Sequence, residues 1–145
     1  MNHALIQRNT HAVFSLLRIR APIDDDQQIE LRTKMRRVIE LLMEGKAENA
    51  HIASLIEWTA VTRALIKPDE YQEALLPTVA AGVAVQNILD RYAVHKVWRA
   101  NGADLRMLED WLPWFDELVK TVNKWEINAA AKEADKRIRQ AVKGR

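Results

Sequence analysis

Residues 103–122 read ADLRMLEDWLPWFDELVKTV, and the spacing of their apolar side chains decides the fold. Leu105, Leu108, Leu112, Phe115, Val119 and Val122 recur at steps of three, four, three, four and three. Those steps predict a helix with one narrow apolar seam of the coiled-coil type. Pro113 lies inside the stretch and is expected to bend it, because proline removes one N–H from the ladder. Trp111 and Trp114 fall beside this seam rather than on it.

The reading extends outward from there. Asn123 precedes Glu126 by three residues, the spacing of a capping box, and opens a fifth helix. Its expected buried face is Ile127, Ala131, Ala134, Ile138 and Ala141, and residues 143–145 are expected to fray. Toward the N-terminus, a third helix is predicted over about residues 69–98, closed by Asn101-Gly102. Its expected stripe is Leu75, Val79, Gly82, Val83, Gln86, Leu89 and Ala93, and most of its other faces are apolar too. A helix apolar on most sides belongs at the centre of its domain. A second helix is predicted from Glu48 to Ile66, ended by Lys67-Pro68. A first begins at Asp24-Asp25-Asp26, whose charges suit the positive end of the helix dipole, and stops at Gly45. Residues 1–23 form an N-terminal arm whose structure the pattern leaves open, helix or strand over His11 to Arg18.

Composition agrees with this organisation. A chain of 145 residues suits one domain, residues 24–142, and is large enough to bury a core without staples. Four glycines and four prolines leave room for long helices, and Ala, Leu, Glu, Lys and Arg favour them. The absence of cysteine excludes a disulfide framework, a thiolate zinc site and a cysteine nucleophile. Met1 to Arg20 carries no apolar run before a small-residue cleavage site, and the uncharged stretch from Ala74 to Leu89 is short for a bilayer span. A cytoplasmic protein with no membrane contact is the expectation. The net charge of +2 is uneven: +3 over residues 1–20, +5 over 120–145 and −6 between them. Basic ends on an acidic body suit a polyanion or an acidic partner, or are simply solvated helix ends.

The order of features has a counterpart among known proteins. Met43-Glu44-Gly45-Lys46-Ala47-Glu48 ends one helix; Ile88-Leu89-Asp90-Arg91-Tyr92 and Lys96-Val97-Trp98-Arg99-Ala100-Asn101-Gly102 follow; Lys136-Arg137-Ile138-Arg139 closes an alanine-rich helix. Over about residues 30–142 this resembles a group of small all-helical proteins of unestablished function from proteobacterial genomes, plasmids and prophages. The resemblance implies an all-helical fold and an origin on a mobile element. It carries over no active site, and Trp111 and Trp114 are not part of its pattern.

Few residues invite chemistry. Glu48-x-x-His51 has the spacing of half a di-iron site, but no second such pair exists and both residues fall in a first helical turn. Residues 52–65 echo a helix-turn-helix, yet no Gly, Asn or Pro stands at the turn position near Ile56-Glu57. No phosphate loop, nucleophile motif or metal cluster is present, so neither a cofactor nor catalysis is expected. Trp111 and Trp114 fit either a wide core face or an aromatic patch for a protein partner, and the aromatic second half of the chain also allows stacking on unpaired bases. Lys132, Lys136, Arg139 and Lys143 recur at four, three and four and share one face of the last helix, a surface for a polyanion or an acidic partner. The expected function is therefore that of a non-enzymatic interaction or regulatory protein, a mobile-element modulator of a host complex, with a protein partner and a homodimeric state. The alternative is a nucleic-acid-binding protein that uses the basic ends. The fold expectation has a direct check: far-ultraviolet circular dichroism without added ligand should be predominantly helical, and a substantial strand signal would overturn the bundle of about five helices.

Overall fold

A computed structural model describes residues 25–143, and among them the chain forms an all-α bundle of five helices. Helix α1 runs Asp25–Glu44, α2 Asn49–Leu65, α3 Leu75–His95, α4 Gly102–Thr121 and α5 Lys124–Lys143. The N-terminal arm and the last two residues of the expected frayed end lie outside the described residues. No β-strand occurs among the described residues; a single bridge joins Lys67 and Glu70 in the turn after α2.

Local chemistry sets the helix ends. Gly45 takes a left-handed φ of 72°, which lets Lys46 N–H reach Leu41 O at 2.8 Å and Gly45 N–H reach Leu42 O at 3.2 Å. This Schellman pairing satisfies carbonyls that the end of α1 leaves open. Glu48 and His51 serve the start of α2: the Glu48 N–H donates to His51 Nδ1 at 2.9 Å. The pair is a cap and not half a metal site. At the start of α5, Asn123 Oδ1 accepts from Glu126 N–H at 3.0 Å and its Nδ2 donates to Glu126 Oε1 at 2.9 Å. Asn123 is thus the expected N-cap, but the return bond from Glu126 is to the Asn123 side chain and not to its backbone N–H, so the capping box is only half formed.

The third helix departs from its expected limits. Tyr71, at φ 61°, and a short 3-10 turn over Gln72–Ala74 precede it, and Lys96, at φ 58°, ends it at His95. Asn101 does not close this helix. It opens α4, with its Oδ1 accepting from Asp104 N–H at 2.8 Å while its own N–H donates back to Asp104 Oδ2 at 3.2 Å. Trp98 therefore lies in the connection between α3 and α4. It stacks on Tyr92 at 3.8 Å and donates from Nε1 to Asn49 Oδ1 at 2.9 Å, so the connection is tied to the first turn of α2.

The central element is α2, not α3. It packs against α1, α3, α4 and α5, and it buries Ile52, Leu55, Trp58, Val61 and Leu65 together with Ser54, Thr59 and Thr62. The hydroxyls make this burial affordable: Ser54 donates to Ala50 O at 3.1 Å, Thr59 to Leu55 O at 2.9 Å and Thr62 to Trp58 O at 2.9 Å. A threonine that returns its proton to its own helix presents mainly a methyl group outward. By contrast α3 buries Thr78, Ala81, Ala84, Val85, Ile88 and Leu89, and leaves Val79, Gly82, Val83 and Ala93 of its expected stripe exposed.

The buried face of α4 is also turned from the expected seam. It comprises Asp104, Leu108, Trp111, Phe115, Leu118 and Val119, while Leu105 and Leu112 are only partly buried. Helix α4 continues unbroken through Pro113, which faces solvent, where water can meet the carbonyl its missing N–H leaves open. On α5, Ile127, Ala130, Ala131 and Ala134 are buried, Ile138 is partly so and Ala141 is exposed. The inward face of α5 is thus its first half.

Two carboxylates hold the outer helices. Asp104, 1% exposed, accepts from Asn87 Nδ2 at 3.1 Å and from Arg91 Nη1, both on α3. Asp116 on α4 accepts from Arg36 Nη1 at 3.2 Å and pairs with Arg32 Nε at 3.2 Å, both on α1. Burial pushes the Asp104 carboxyl up, but the bonds from Arg91, Asn87 and the Asn101 N–H outweigh it and hold the group below the usual carboxylate range. The folded form is then the stronger acid. Its contribution to stability is complete above the ordinary carboxylate range, and falls away as the pH drops through the folded-state value. Asp104→Ala should lower the free energy of urea unfolding near neutral pH by about 3 kcal/mol, since it removes a cap and strands a partly buried arginine. The gap between variant and parent should narrow in acid. An unchanged gap across that range would show that the carboxylate charge is not what matters.

Candidate functional site

The described surface offers three places at which the sequence suggests, or the fold reveals, a binding role. The first, the aromatic pair, separates on folding. Trp111 is 0% exposed and belongs to the core. Its Nε1 donates to Thr62 Oγ1 on α2 at 3.1 Å, and its ring lies 5.1 Å from Phe115, which meets Trp58 edge-on at 5.7 Å. An indole N–H that is buried needs such an acceptor. Trp111 is therefore a packing residue and does not form an aromatic edge for a partner. Trp114, one position before Phe115, is half-buried and packs against the core from outside.

The second place is the basic face of α5. Lys132, Lys136, Arg139 and Lys143 are all exposed, on the side of α5 away from its buried alanines. Arg139 Nε pairs with Asp135 Oδ2 at 2.8 Å, and the nearby Arg137 Nε pairs with Glu133 Oε1 at 3.3 Å. Among the described residues, no carboxylate pairs with Lys132, Lys136 or Lys143. Trp125, in the first turn of the same helix, is 64% exposed, the most exposed aromatic ring described. At 100° per residue, Trp125 shares the azimuth of Lys143 and stands within about 40° of the other three cations. By residue type alone, Trp125 is one more aromatic in the second half of the chain. Its position seven residues before Lys132 was the signal that joins it to the basic stripe.

The third place is visible only in the fold. On α3, Leu76 is 80% exposed, Val79 44%, Val83 49% and Val94 74%. Leu76 and Val94 are five full turns apart and so share an azimuth, with Val79 and Val83 on the same side between them. These are exposed apolar side chains on one side of α3, dense over its first half and separated from Val94 by Asn87 and the exposed Asp90, which lie within about 40° of the same azimuth. Exposed acids, Asp69, Glu70 and Glu73, cluster just before the helix, and the exposed cations Lys96 and Arg99 follow just after Val94.

No group of three or more histidines and carboxylates among the described residues is placed to hold a metal ion. Helix α2 is continuous from Asn49 to Leu65, so residues 52–65 form no helix-turn-helix. No helix among the described residues is long and apolar enough to cross a membrane. Comparisons of the chain with protein-family models, with curated proteins and with solved structures found no match.

Proposed function

We propose that this chain works by association rather than catalysis, as an interaction protein that pairs with a second copy of itself through the outer face of α3. One observation carries the reading: the exposed stripe of Leu76, Val79, Val83 and Val94. Single exposed apolar residues are ordinary, but aligned ones on one helix mark a surface that is covered when the protein is at work.

The charges at the two ends of α3 favour a second copy as the cover. A two-fold axis crossing the helix midway between Leu76 and Val94 runs the two copies antiparallel. Each Leu76 then meets the other copy's Val94, and each acidic end (Asp69, Glu70, Glu73) lies against a basic end (Lys96, Arg99). The titratable side chains that the fold draws inward on α4 support a role without catalysis. Asp104 is held by Arg91 and Asn87, and Asp116 by Arg32 and Arg36, so both serve as ties between helices.

Light scattering of the purified protein at tens of micromolar should give twice the chain mass. Val83→Glu should return it to the monomer mass with the same circular dichroism and a stability changed by about 0.5 kcal/mol or less, as expected for a surface position. A parent of monomer mass, or a Val83→Glu variant that keeps the dimer mass, would overturn the assignment of this face.

A further inference from the structure

We propose that the outer face of α5 binds single-stranded nucleic acid, with Trp125 stacking on an unpaired base and Lys132, Lys136 and Lys143 meeting the phosphates. This site is on a different helix from the self-association stripe and does not depend on it.

Four features lead there. The ring of Trp125 is 64% exposed, though burying an aromatic ring ordinarily yields more than burying most side chains. The three lysines have no carboxylate partner among the described residues, so their charge is available to an anion. The neighbouring acids do not cancel it: Glu133 and Asp135 are engaged by Arg137 and Arg139. Lastly, ring and cations form one line. From Trp125 to Lys143 the stripe is about 27 Å long, at 1.5 Å per residue, with the aromatic group at one end and the cations following it.

Charge alone would suit duplex, single strand or an anionic lipid surface equally. Trp125 decides between the first two. A duplex keeps its bases stacked on one another and offers a flat ring no face, whereas an unpaired base offers one, irrespective of its identity. The packing of α5 decides against lipid. A helix that lies in a membrane interface sinks its apolar face into the acyl boundary. The apolar face of α5, Ile127, Ala130, Ala131 and Ala134, is buried in the bundle, which leaves one tryptophan as the only large apolar group on the outer stripe.

The test is fluorescence anisotropy of the full chain with a labelled thymidine homopolymer, a labelled duplex of equal length, and phosphatidylserine vesicles in a parallel flotation assay. The single strand should bind at low salt, more tightly than the duplex, with affinity falling with salt at a log–log slope of about −2 for three phosphate contacts. Trp125→Ala should weaken single-strand binding about tenfold and leave the salt slope unchanged, because stacking is not ionic. Lys132→Glu, Lys136→Glu and Lys143→Glu combined should abolish it. Both variants should retain the parent's circular dichroism, since all four side chains face solvent. The Val83→Glu protein should still bind the oligonucleotide, which separates this site from the α3 face. Absence of single-strand binding at low salt overturns the proposal. So does equal affinity for duplex with no effect of Trp125→Ala, or binding to vesicles alone.

Discussion

The arrangement of this bundle depends on one buried hydrogen bond, from Trp111 Nε1 on α4 to Thr62 Oγ1 on α2. An indole cannot enter a core without an acceptor for its N–H, and Thr62, which gives its own proton to the Trp58 carbonyl, has a lone pair to offer. Once Trp111 points at α2, the rotation of α4 is set. Asp104, seven residues earlier, is carried to the same inward side, where a bare carboxylate would be costly. Asn87, Arg91 and the Asn101 N–H answer that cost and fasten α3 to α4. Beside that fastening, Leu76, Val79, Val83 and Val94 of α3 remain exposed to water.

Much of the architecture was legible in the sequence, and the exceptions have physical causes. The five helices, the glycine stop at Gly45 and the N-cap at Asn123 follow from local chemistry, which a sequence displays directly. The rotation of each helix does not. For α4, two seams compete, one through Leu105 and Leu112 and one through Asp104 and Trp111, and both include Leu108 and Phe115. Counting aliphatic residues selects the first. The second prevails because a tryptophan buries more surface than a leucine and because Asp104 finds donors on another helix.

The identity of the central helix was obscured for a related reason. Ser54, Thr59 and Thr62 lower the apparent apolarity of α2, yet each hydroxyl is bonded within its own helix and the residue packs as a small apolar one. In α3 the error runs the other way. Its large aliphatic side chains suggest a buried stripe, but the inward face is built largely from Thr78, Ala81 and Ala84, beside Val85, Ile88 and Leu89. Small side chains allow close approach of helices, and the larger ones were left outside. The binding surfaces were accordingly the least legible part: Lys132, Lys136, Arg139 and Lys143 could be placed on one face by counting, whereas the α3 stripe required knowing which side of an apolar helix meets solvent.

The alanine-lined faces of α3 and α5 have a bearing on how such a chain can change over generations. Alanine loses no rotamer freedom on burial, so Ala81, Ala84, Ala130, Ala131 and Ala134 give contact between helices at little entropic cost. The same positions offer no intermediate steps: glycine sacrifices helix propensity, and anything larger forces the helices apart. Substitutions will be filtered there by volume and hardly at all by polarity elsewhere on the surface. The mark of common descent in a lineage built this way would be a register of small residues, with the large and charged positions free to diverge around it.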